Sequence, residues 1–312
     1  MEYARPHAAG PEKIMVKRAT AARRGARLRP KRASRSRKKR VRKRGTSHSR
    51  SASAGLDIKP ETVCSRIERF IQKETRAAGR SRVVVGLSGG IDSALSAALA
   101  RRALGRAGVI AILMPYRNSR KDSLRDAEEL AKYLDIRYET VDISPMVDAF
   151  FDNRPEADRL RRGNKMARER MSILFDCAAA RDALVLGTSN RTETLLGYGT
   201  HFGDTACSLN PIGCLYKTQV RLLALHVAVP ERIRTKIPTA DLWPDQTDEA
   251  ELGYTYEEID RLLLLMVDRG LKLRELQAHG FDREMVRSVQ DRIQRNEFKR
   301  RMPYVAPITT RH

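Results

Sequence analysis

Residues 82–100 read RVVVGLSGGIDSALSAALA, and this stretch decides the fold. The apolar, β-branched run Arg82–Leu87 predicts a buried strand, and a helix is predicted from Ile91 to Leu104. The loop between them, SGGIDSA (Ser88–Ala94), has two glycines that let the backbone come close to a ligand. A helix N-terminus also offers unpaired N–H groups and a positive dipole end. The stretch therefore predicts a strand, loop and helix that bind an anion.

The loop differs from the common nucleotide loops, because it contains neither GK[ST] nor GxGxxG. Asp92 inside it would repel a phosphate unless a cation lay between them, and Mg²⁺ is the simplest such cation. An ordinary glycine turn capped by Asp92 would leave Ser88 and Ser93 unexplained. We therefore expect this loop to bind a phosphate together with Mg²⁺.

Strands and helices alternate after this loop, which predicts an α/β fold with a doubly wound parallel sheet and C-terminal helices. The further predicted strands are Val109–Pro115, Arg137–Ile143 and Ala183–Thr188. The other predicted helices are Ile58–Ile71, Asp122–Leu134, Glu156–Ala180, Lys217–His226, Thr255–Val267 and Asp282–Arg295.

The charge is concentrated at the N-terminus. The chain has 312 residues with 61 Lys and Arg against 38 Asp and Glu, and residues 1–50 contain 19 of the former but only Glu2 and Glu12. This predicts a disordered basic tail over residues 1–55 and a folded domain over 56–312. The tail could contact a polyanion, serve as an organelle transit peptide, or lie upstream of the true start codon.

Composition also excludes some classes of protein. No apolar run reaches the roughly 20 residues of a membrane helix, so an integral membrane protein is excluded. Four scattered cysteines cannot form a disulfide scaffold, and we expect a reduced, cytoplasmic setting.

The SGGxDS loop after a strand resembles the pyrophosphatase loop of the N-type ATP pyrophosphatases, which cleave ATP to AMP and pyrophosphate. Four more segments, in the family's order, resemble the NAD synthetases within that superfamily. They are GNKMARERM (Gly163–Met171), LGTSNRTETLLGYGTHFGD (Leu186–Asp204), LNPIGCLYKTQVR (Leu209–Arg221) and IPTADLWPDQTDEAELG (Ile237–Gly253). The resemblance covers about residues 57–304 and implies a Rossmann-like, adenine nucleotide alpha hydrolase-like fold.

The resemblance also implies a set of site residues. Those for ATP and its pyrophosphate are Ser88, Gly89, Gly90, Ile91, Asp92, Ser93, Thr188, Lys217 and Thr239. Asp92 and Glu193 would bind Mg²⁺, and deamido-NAD would contact Arg168, Asp204 and Lys299. Three more positions of that substrate wall depart from residues common in the family, namely His201, Ser208 and Phe298. Asp92, Asp204 and Lys217 are the expected catalytic residues.

The residues themselves support parts of this assignment. Lys217 begins a predicted helix, where a cation is unfavourable unless an anion lies nearby. It could instead be a solvated surface lysine, and Glu193 could simply cap a helix. Arg168 and Arg170 point to different faces of one helix, so we expect Arg170 to form a structural ion pair.

The resemblance implies a ligase that amidates deamido-NAD to NAD, the final step of NAD biosynthesis. ATP would adenylate the carboxylate and release pyrophosphate, and ammonia would then displace AMP. Asp204 is the expected group that binds ammonium and takes its proton. The 56–312 segment has no room for an amidase domain, so ammonia would be free or come from a separate glutaminase subunit. The family also implies a homodimer.

Two other functions remain open from the sequence. A tRNA-modifying ATP pyrophosphatase would use the same loop, with RNA affinity supplied by the basic tail. A polyanion-binding protein that only senses nucleotide would need no chemistry, although the phosphate loop and the carboxylate pair are complete.

Overall fold

The computed structural model describes residues 55–239, 243 and 247–306. Four parallel strands form one sheet in the order β3-β2-β1-β4. Their bounds are β1 Val83–Gly86, β2 Val109–Leu113, β3 Arg137–Thr140 and β4 Leu184–Leu186. The predicted doubly wound α/β fold is confirmed, and each strand is shorter than its predicted apolar run.

Helices flank the sheet and follow it along the chain. Their bounds are α1 Pro60–Ala77, α2 Ile91–Leu104, α3 Lys121–Tyr133, α4 Ser144–Phe151, α5 Arg159–Ala180, α6 Arg191–Leu196, α7 Lys217–His226, α8 Glu231–Arg234, α9 Asp248–Leu252, α10 Tyr256–Leu263, α11 Leu273–Ala278 and α12 Arg283–Arg295. A π-helical turn, Leu264–Asp268, extends α10. Two helices have the predicted bounds, α2 and α7. No bounds were predicted for the short helices α4, α6, α8, α9 and α11, because a segment of four to eight residues shows little periodicity.

The sheet is covered on both faces. Val83 and Val85 pack into a core with α1, α2 and α7, whereas Val84 packs on the opposite face with α4 and α5. Successive side chains of a strand point to opposite faces, so a strand buried on both sides is apolar at every position. This explains the unbroken VVV run of β1.

A second helical layer is built by the C-terminal third of the chain. Tyr256, Leu262 and Val286 are fully buried in a core formed by α9 to α12. Leu196 of α6 and Tyr216, which precedes α7, pack into the same core. The C-terminal helices are thus attached directly to the two segments that follow β4.

The strand order creates a crevice at one edge of the sheet. The chain runs outward from β1 through β2 to β3 and then returns to place β4 on the other side of β1. In open parallel sheets, ligands bind beyond the carboxyl ends of the strands at such a reversal. The loops after β1 and β4 therefore face each other across the expected ligand site.

The predicted tail, residues 1–55, lies outside the described residues except for Gly55. In the ranges that the structure covers, no helix is long and apolar enough to cross a membrane.

Candidate active site

A cavity of about 610 Å³ lies at the carboxyl ends of β1 and β4. This volume is within the range of small-molecule sites. Most of the predicted site residues line it, namely Ser88, Gly89, Gly90, Ile91, Asp92, Ser93, Thr188, Glu193, Asp204, Lys217, Thr239 and Lys299. Residues that are far apart in sequence are therefore brought together at the switch point of the sheet.

The loop after β1 has a backbone that only glycine adopts easily. Gly89 has φ of +76°, and a Cβ at this position would lie 2.3 Å from the carbonyl oxygen of Ser123. Ser93 Oγ donates to the Gly90 carbonyl at 3.0 Å, and Gly90 N donates to Ser88 Oγ at 3.2 Å. The serines thus fix a tight turn whose glycine lies directly against α3.

The start of α2 is open to the cavity. Its N-cap is Gly90, which has no side chain to accept from the first N–H groups of the helix. Those N–H groups have no intrahelical partner, and the helix dipole places partial positive charge there. An anion in the cavity would be bound by the end of α2, as the sequence predicts.

Lys217 is the central cation of the site. It is 2% exposed, and its Nζ lies 2.5 Å from Asp92 Oδ2 and 3.2 Å from Glu193 Oε1. The interpretation as a solvated surface lysine is therefore wrong. The Asp92 and Glu193 carboxylates of the protein itself offset the unfavourable interaction of a lysine with the start of α7.

Asn190 joins the two carboxylates from the other side. Its buried amide donates from Nδ2 to Asp92 Oδ1 at 2.9 Å, and its Oδ1 accepts from Glu193 N at 3.0 Å. Glu193 Oε2 accepts from Asn190 N in return, which completes a capping box at the start of α6. Glu193 thus caps its helix and binds Lys217 at the same time, through different oxygens.

The site favours an additional cation. The pKa of Glu193 is raised to about 8, because burial and, after it, the Asp92 carboxylate raise this pKa more than Lys217 lowers it. Burial acts to lower the pKa of Lys217, but the two carboxylates outweigh it and raise that pKa. Two carboxylates therefore share one ammonium group, and the raised pKa of Glu193 means that binding of a further cation, a proton or a metal ion, is favourable.

Asp92 and Glu193 fit a magnesium site of the kind completed by a substrate. Their oxygens converge on one cation, Lys217 Nζ, at the cavity wall. Within the described ranges, no group of three or more His, Cys, Asp or Glu is placed to hold a metal ion. Mg²⁺ is commonly bound by one or two carboxylates, with water and substrate phosphates completing its coordination. A pair of carboxylates beside a phosphate loop meets that requirement.

Asp204 and Lys299 form the opposite wall of the cavity. Asp204 Oδ1 accepts from Thr200 N at 2.7 Å, and Lys299 Nζ donates to the carbonyls of Gly197 and Gly199 at 2.8 and 2.9 Å. The Asp204 side chain is open to the cavity, yet the enclosing protein raises its pKa by desolvation. Desolvation likewise lowers the pKa of Lys299, which the Asp204 carboxylate opposes.

Four predicted substrate residues lie outside the cavity lining. Arg168 is exposed and its Nε donates to the His201 carbonyl at 3.2 Å. The His201 ring stacks on Phe202 at 3.8 Å and meets the Phe298 ring edge-on at 5.5 Å. Ser208 Oγ accepts from Val185 N at 3.1 Å.

Arg170, which was expected to form an ion pair, lines the cavity, and its Nε donates to the Met114 carbonyl.

Three residues in or beside the cavity were missed by the sequence analysis: Lys236 and Asp248 line it, and Asn190 contacts two residues of its wall. Asn190 could have been found, because Asn followed by Glu three residues later is typical of a capping box. Lys236 Nζ binds Asp126 at 2.8 Å, and Asp248 accepts from the Tyr256 hydroxyl at 2.9 Å. Nothing local in the sequence distinguishes Lys236 or Asp248 from surface charges, because their partners are distant or lie on another helix.

Comparison with known proteins identifies the family. A family model described as NAD synthase matches residues 63–303. The NH3-dependent NAD+ synthetase of Fusobacterium nucleatum is 48% identical over 253 residues, which cover 81% of this chain and 98% of the relative.

Two solved structures are also similar. The NMN synthetase of Francisella tularensis has a TM-score of 0.73 at 32% identity, covering 81% of this chain and all of that one. The NH3-dependent NAD synthetase of Campylobacter jejuni, solved with a nitrate ion, has a TM-score of 0.69 at 35% identity and covers 80% of this chain and all of that one. The match spans all five sequence motifs, and the chain belongs to the NAD synthase family.

Proposed function

We propose that this chain is an ATP-dependent ligase that converts the nicotinate carboxylate of deamido-NAD to the amide of NAD, with ammonia as the nitrogen source. The observation that carries the proposal is the contact of buried Lys217 with Asp92 and Glu193 beside the Ser88–Ser93 loop, in the same cavity as Asp204. A site that brings phosphate-binding backbone, a carboxylate pair and a lysine together suits the transfer of AMP to a carboxylate.

ATP would bind with its phosphates at the start of α2. Thr188 and Thr239 line the same cavity and offer hydroxyl groups to the nucleotide. Asp92 and Glu193 would hold Mg²⁺, which supplies positive charge against the polyphosphate. Lys217 is fixed next to both carboxylates, so its ammonium group would remain beside the phosphates during the reaction.

The chemistry consists of two displacements. A carboxylate oxygen of deamido-NAD attacks the α-phosphorus of ATP, and the bond to the β,γ-pyrophosphate breaks. Ammonia then attacks the carbonyl carbon of the acyl-adenylate, and AMP leaves with the former carboxylate oxygen. One proton is released from the attacking nitrogen. Lys217 and the N–H groups at the start of α2 would stabilise the negative charge that develops on the leaving pyrophosphate.

Asp204 would bind ammonium and accept its proton. Its carboxyl group faces the cavity and has a raised pKa, so it can take a proton from ammonium near neutral pH more readily than an ordinary aspartate. Asp204→Asn should lower the rate at low and at saturating ammonium. Full activity of Asp204→Asn at saturating ammonium would contradict this role.

The proposal is tested by product analysis with the full-length protein. With MgATP and deamido-NAD, we expect NAD, AMP and pyrophosphate in equal amounts when ammonium is added. Glutamine should not replace ammonium, since relatives about half identical to this chain are named NH3-dependent NAD+ synthetases. Nicotinate mononucleotide is the competing acceptor to include, because one similar structure is named NMN synthetase. Pyrophosphate released only with the mononucleotide would contradict deamido-NAD as the substrate.

We also infer that the protein forms a homodimer. Leu160 and Phe175 of α5 and Phe150 of α4 are at least 40% exposed, and large apolar side chains on one helical layer favour a protein partner. The mass in solution, measured by light scattering, should be twice that of the 35.3 kDa chain. A monomer at micromolar concentration would contradict the inference.

A further inference from the structure

Asp260 is a fully buried carboxylate outside the cavity lining. It lies in α10, is 0% exposed, and contacts the two short segments that carry Glu193 and Lys217. The reaction described above gives it no role. Because burying a carboxylate is costly unless its oxygens are hydrogen-bonded, its partners indicate what it does.

The partners of Asp260 belong to α6 and α7. Asp260 Oδ1 accepts from the Thr192 hydroxyl at 2.5 Å, and Oδ2 accepts from Thr218 N at 2.8 Å. Thr192 Oγ in turn accepts from Lys217 N at 3.0 Å. Since Thr192 Oγ accepts that bond, its own proton is free to point to Asp260. A single chain of hydrogen bonds thus runs from the Lys217 backbone to the Asp260 carboxylate.

This chain of hydrogen bonds contributes to the capping of α7. The N–H groups of Lys217 and Thr218 are in the first turn of the helix, where no intrahelical acceptor is available. Thr192 Oγ of α6 accepts from Lys217 N, and Asp260 Oδ2 of α10 accepts from Thr218 N. The negative charge of Asp260 also offsets the cost of a lysine at the positive end of the helix dipole.

The same bonds fix the distance between Glu193 and Lys217. Thr192 precedes Glu193 in α6, and its hydroxyl binds the backbone of Lys217 itself. The Glu193 and Lys217 side chains meet at 3.2 Å, and the hydrogen bond from Lys217 N to Thr192, the neighbour of Glu193, joins α7 to α6 next to this ion pair.

We propose that Asp260, acting through Thr192, is a positioning residue that holds Lys217 and Glu193 in the geometry required for nucleotide binding. This inference rests on the proposed function for its substrate, but its test measures binding without turnover. We expect that loss of the Thr192 hydroxyl group weakens the binding of MgATP and leaves the binding of deamido-NAD intact.

Thr192→Val is the informative variant, because valine has nearly the same shape and lacks the hydroxyl. The probe is α,β-methylene ATP, which cannot release pyrophosphate. We expect its Kd, measured by calorimetry in the presence of Mg²⁺, to rise at least tenfold. The Kd for deamido-NAD should change less than twofold. Thr192→Ser keeps the hydroxyl and should bind both ligands within twofold of wild type.

Two further variants keep the test decisive. Asp260→Asn should weaken the nucleotide as Thr192→Val does, because an amide cannot accept on both sides, and it serves if the valine variant does not fold. Leu276→Ala removes a fully buried side chain from the same helical core without touching the hydrogen-bond chain. It should lower the Tm and leave the nucleotide Kd within twofold.

The results separate the two proposals. Normal nucleotide binding by Thr192→Val and Asp260→Asn, or equal weakening by Leu276→Ala, would overturn the positioning role. A wild-type protein that binds the nucleotide but forms no NAD would contradict the proposed function, and the variant comparison would still decide the positioning role.

Discussion

Lys217 Nζ lies 2.5 Å from Asp92 Oδ2, although 125 residues separate the two in the sequence. The contact joins the start of α7 to the start of α2 across the carboxyl edge of the sheet. Each residue is at the N-terminal end of a helix, and only the carboxylate is favoured there by the dipole. The ion pair therefore places an otherwise unfavourable lysine where the nucleotide phosphates would lie.

Removing Lys217 should leave the Asp92 and Glu193 carboxylates, whose side chains are 18% and 17% exposed, without a cation. Breaking a buried ion pair from one side costs about 3–5 kcal/mol, so Lys217→Met should lower the free energy of unfolding by that amount and abolish turnover. Urea denaturation measures the loss. Adding Glu193→Gln to Lys217→Met should recover part of the stability, and no recovery would argue against charge repulsion as the cause.

Asn190→Asp should disrupt the carboxylate pair. The aspartate keeps the acceptor for Glu193 N but faces Asp92 Oδ1 with an oxygen in place of the donating amide. We expect at least a tenfold lower kcat/KM for ATP, which corresponds to about 1.4 kcal/mol. Steady-state kinetics at saturating Mg²⁺ provide the measurement.

Thr255→Ala is the matched control for Asn190. Thr255 completes the capping box of α10 and has no described contact with the cavity carboxylates. Loss of that cap should cost about 1 kcal/mol of stability and leave the ATP kinetics within about twofold. Equal kinetic losses in both variants would mean that general destabilisation explains the effect and that repulsion at Asp92 does not.

Gly89→Ala should distort the phosphate loop. The new Cβ would meet the Ser123 carbonyl at 2.3 Å, in addition to about 1–3 kcal/mol of backbone strain at positive φ. Gly79 is the control, since it has φ of +68° and nothing within 4 Å of its Cβ position. Both variants should lose stability in thermal denaturation, but only Gly89→Ala should lose nucleotide binding. A Gly89→Ala protein with normal binding would show that the loop is not constrained.

The stability contributed by Asp204 should depend on pH. Desolvation by the enclosing protein raises the pKa of Asp204 in the folded state, so the folded protein holds this proton more tightly than the unfolded chain does. The stabilisation is complete below about pH 4, the unfolded pKa, and is lost as pH rises through the folded pKa. Asp204→Asn stays neutral and keeps the bond from Thr200 N, so its Tm relative to wild type should increase from pH 4 to pH 8. A constant or decreasing difference would contradict the raised pKa.

The elements that were predicted correctly depend on local patterns. The Val83–Gly86 strand, the glycine loop and the Ile91–Leu104 helix follow from a β-branched run, two glycines and an apolar helix in direct succession. Lys217 was expected in the site on the family resemblance, and its unfavourable place at the start of a helix supported that expectation. Its internal partners could not be derived from sequence, because the contacts to Asp92 and Glu193 span different elements.

The supporting residues were harder to predict for the same reason. Thr192 and Asp260 are 68 residues apart, and neither has a local signature that distinguishes it from a surface residue. Arg168 and His201 were expected at the substrate on the resemblance alone, and the structure places them in contact with each other outside the cavity lining. Their role in substrate binding remains a prediction.

The central claim is that this cavity joins AMP to the nicotinate carboxylate before ammonia enters. The most direct measurement uses deamido-NAD with an ¹⁸O-labelled carboxylate, MgATP, ammonium and the full-length protein, followed by mass spectrometry of the products. The account predicts that NAD forms and that each AMP carries one ¹⁸O atom. Unlabelled AMP, or ADP in place of AMP, would contradict it.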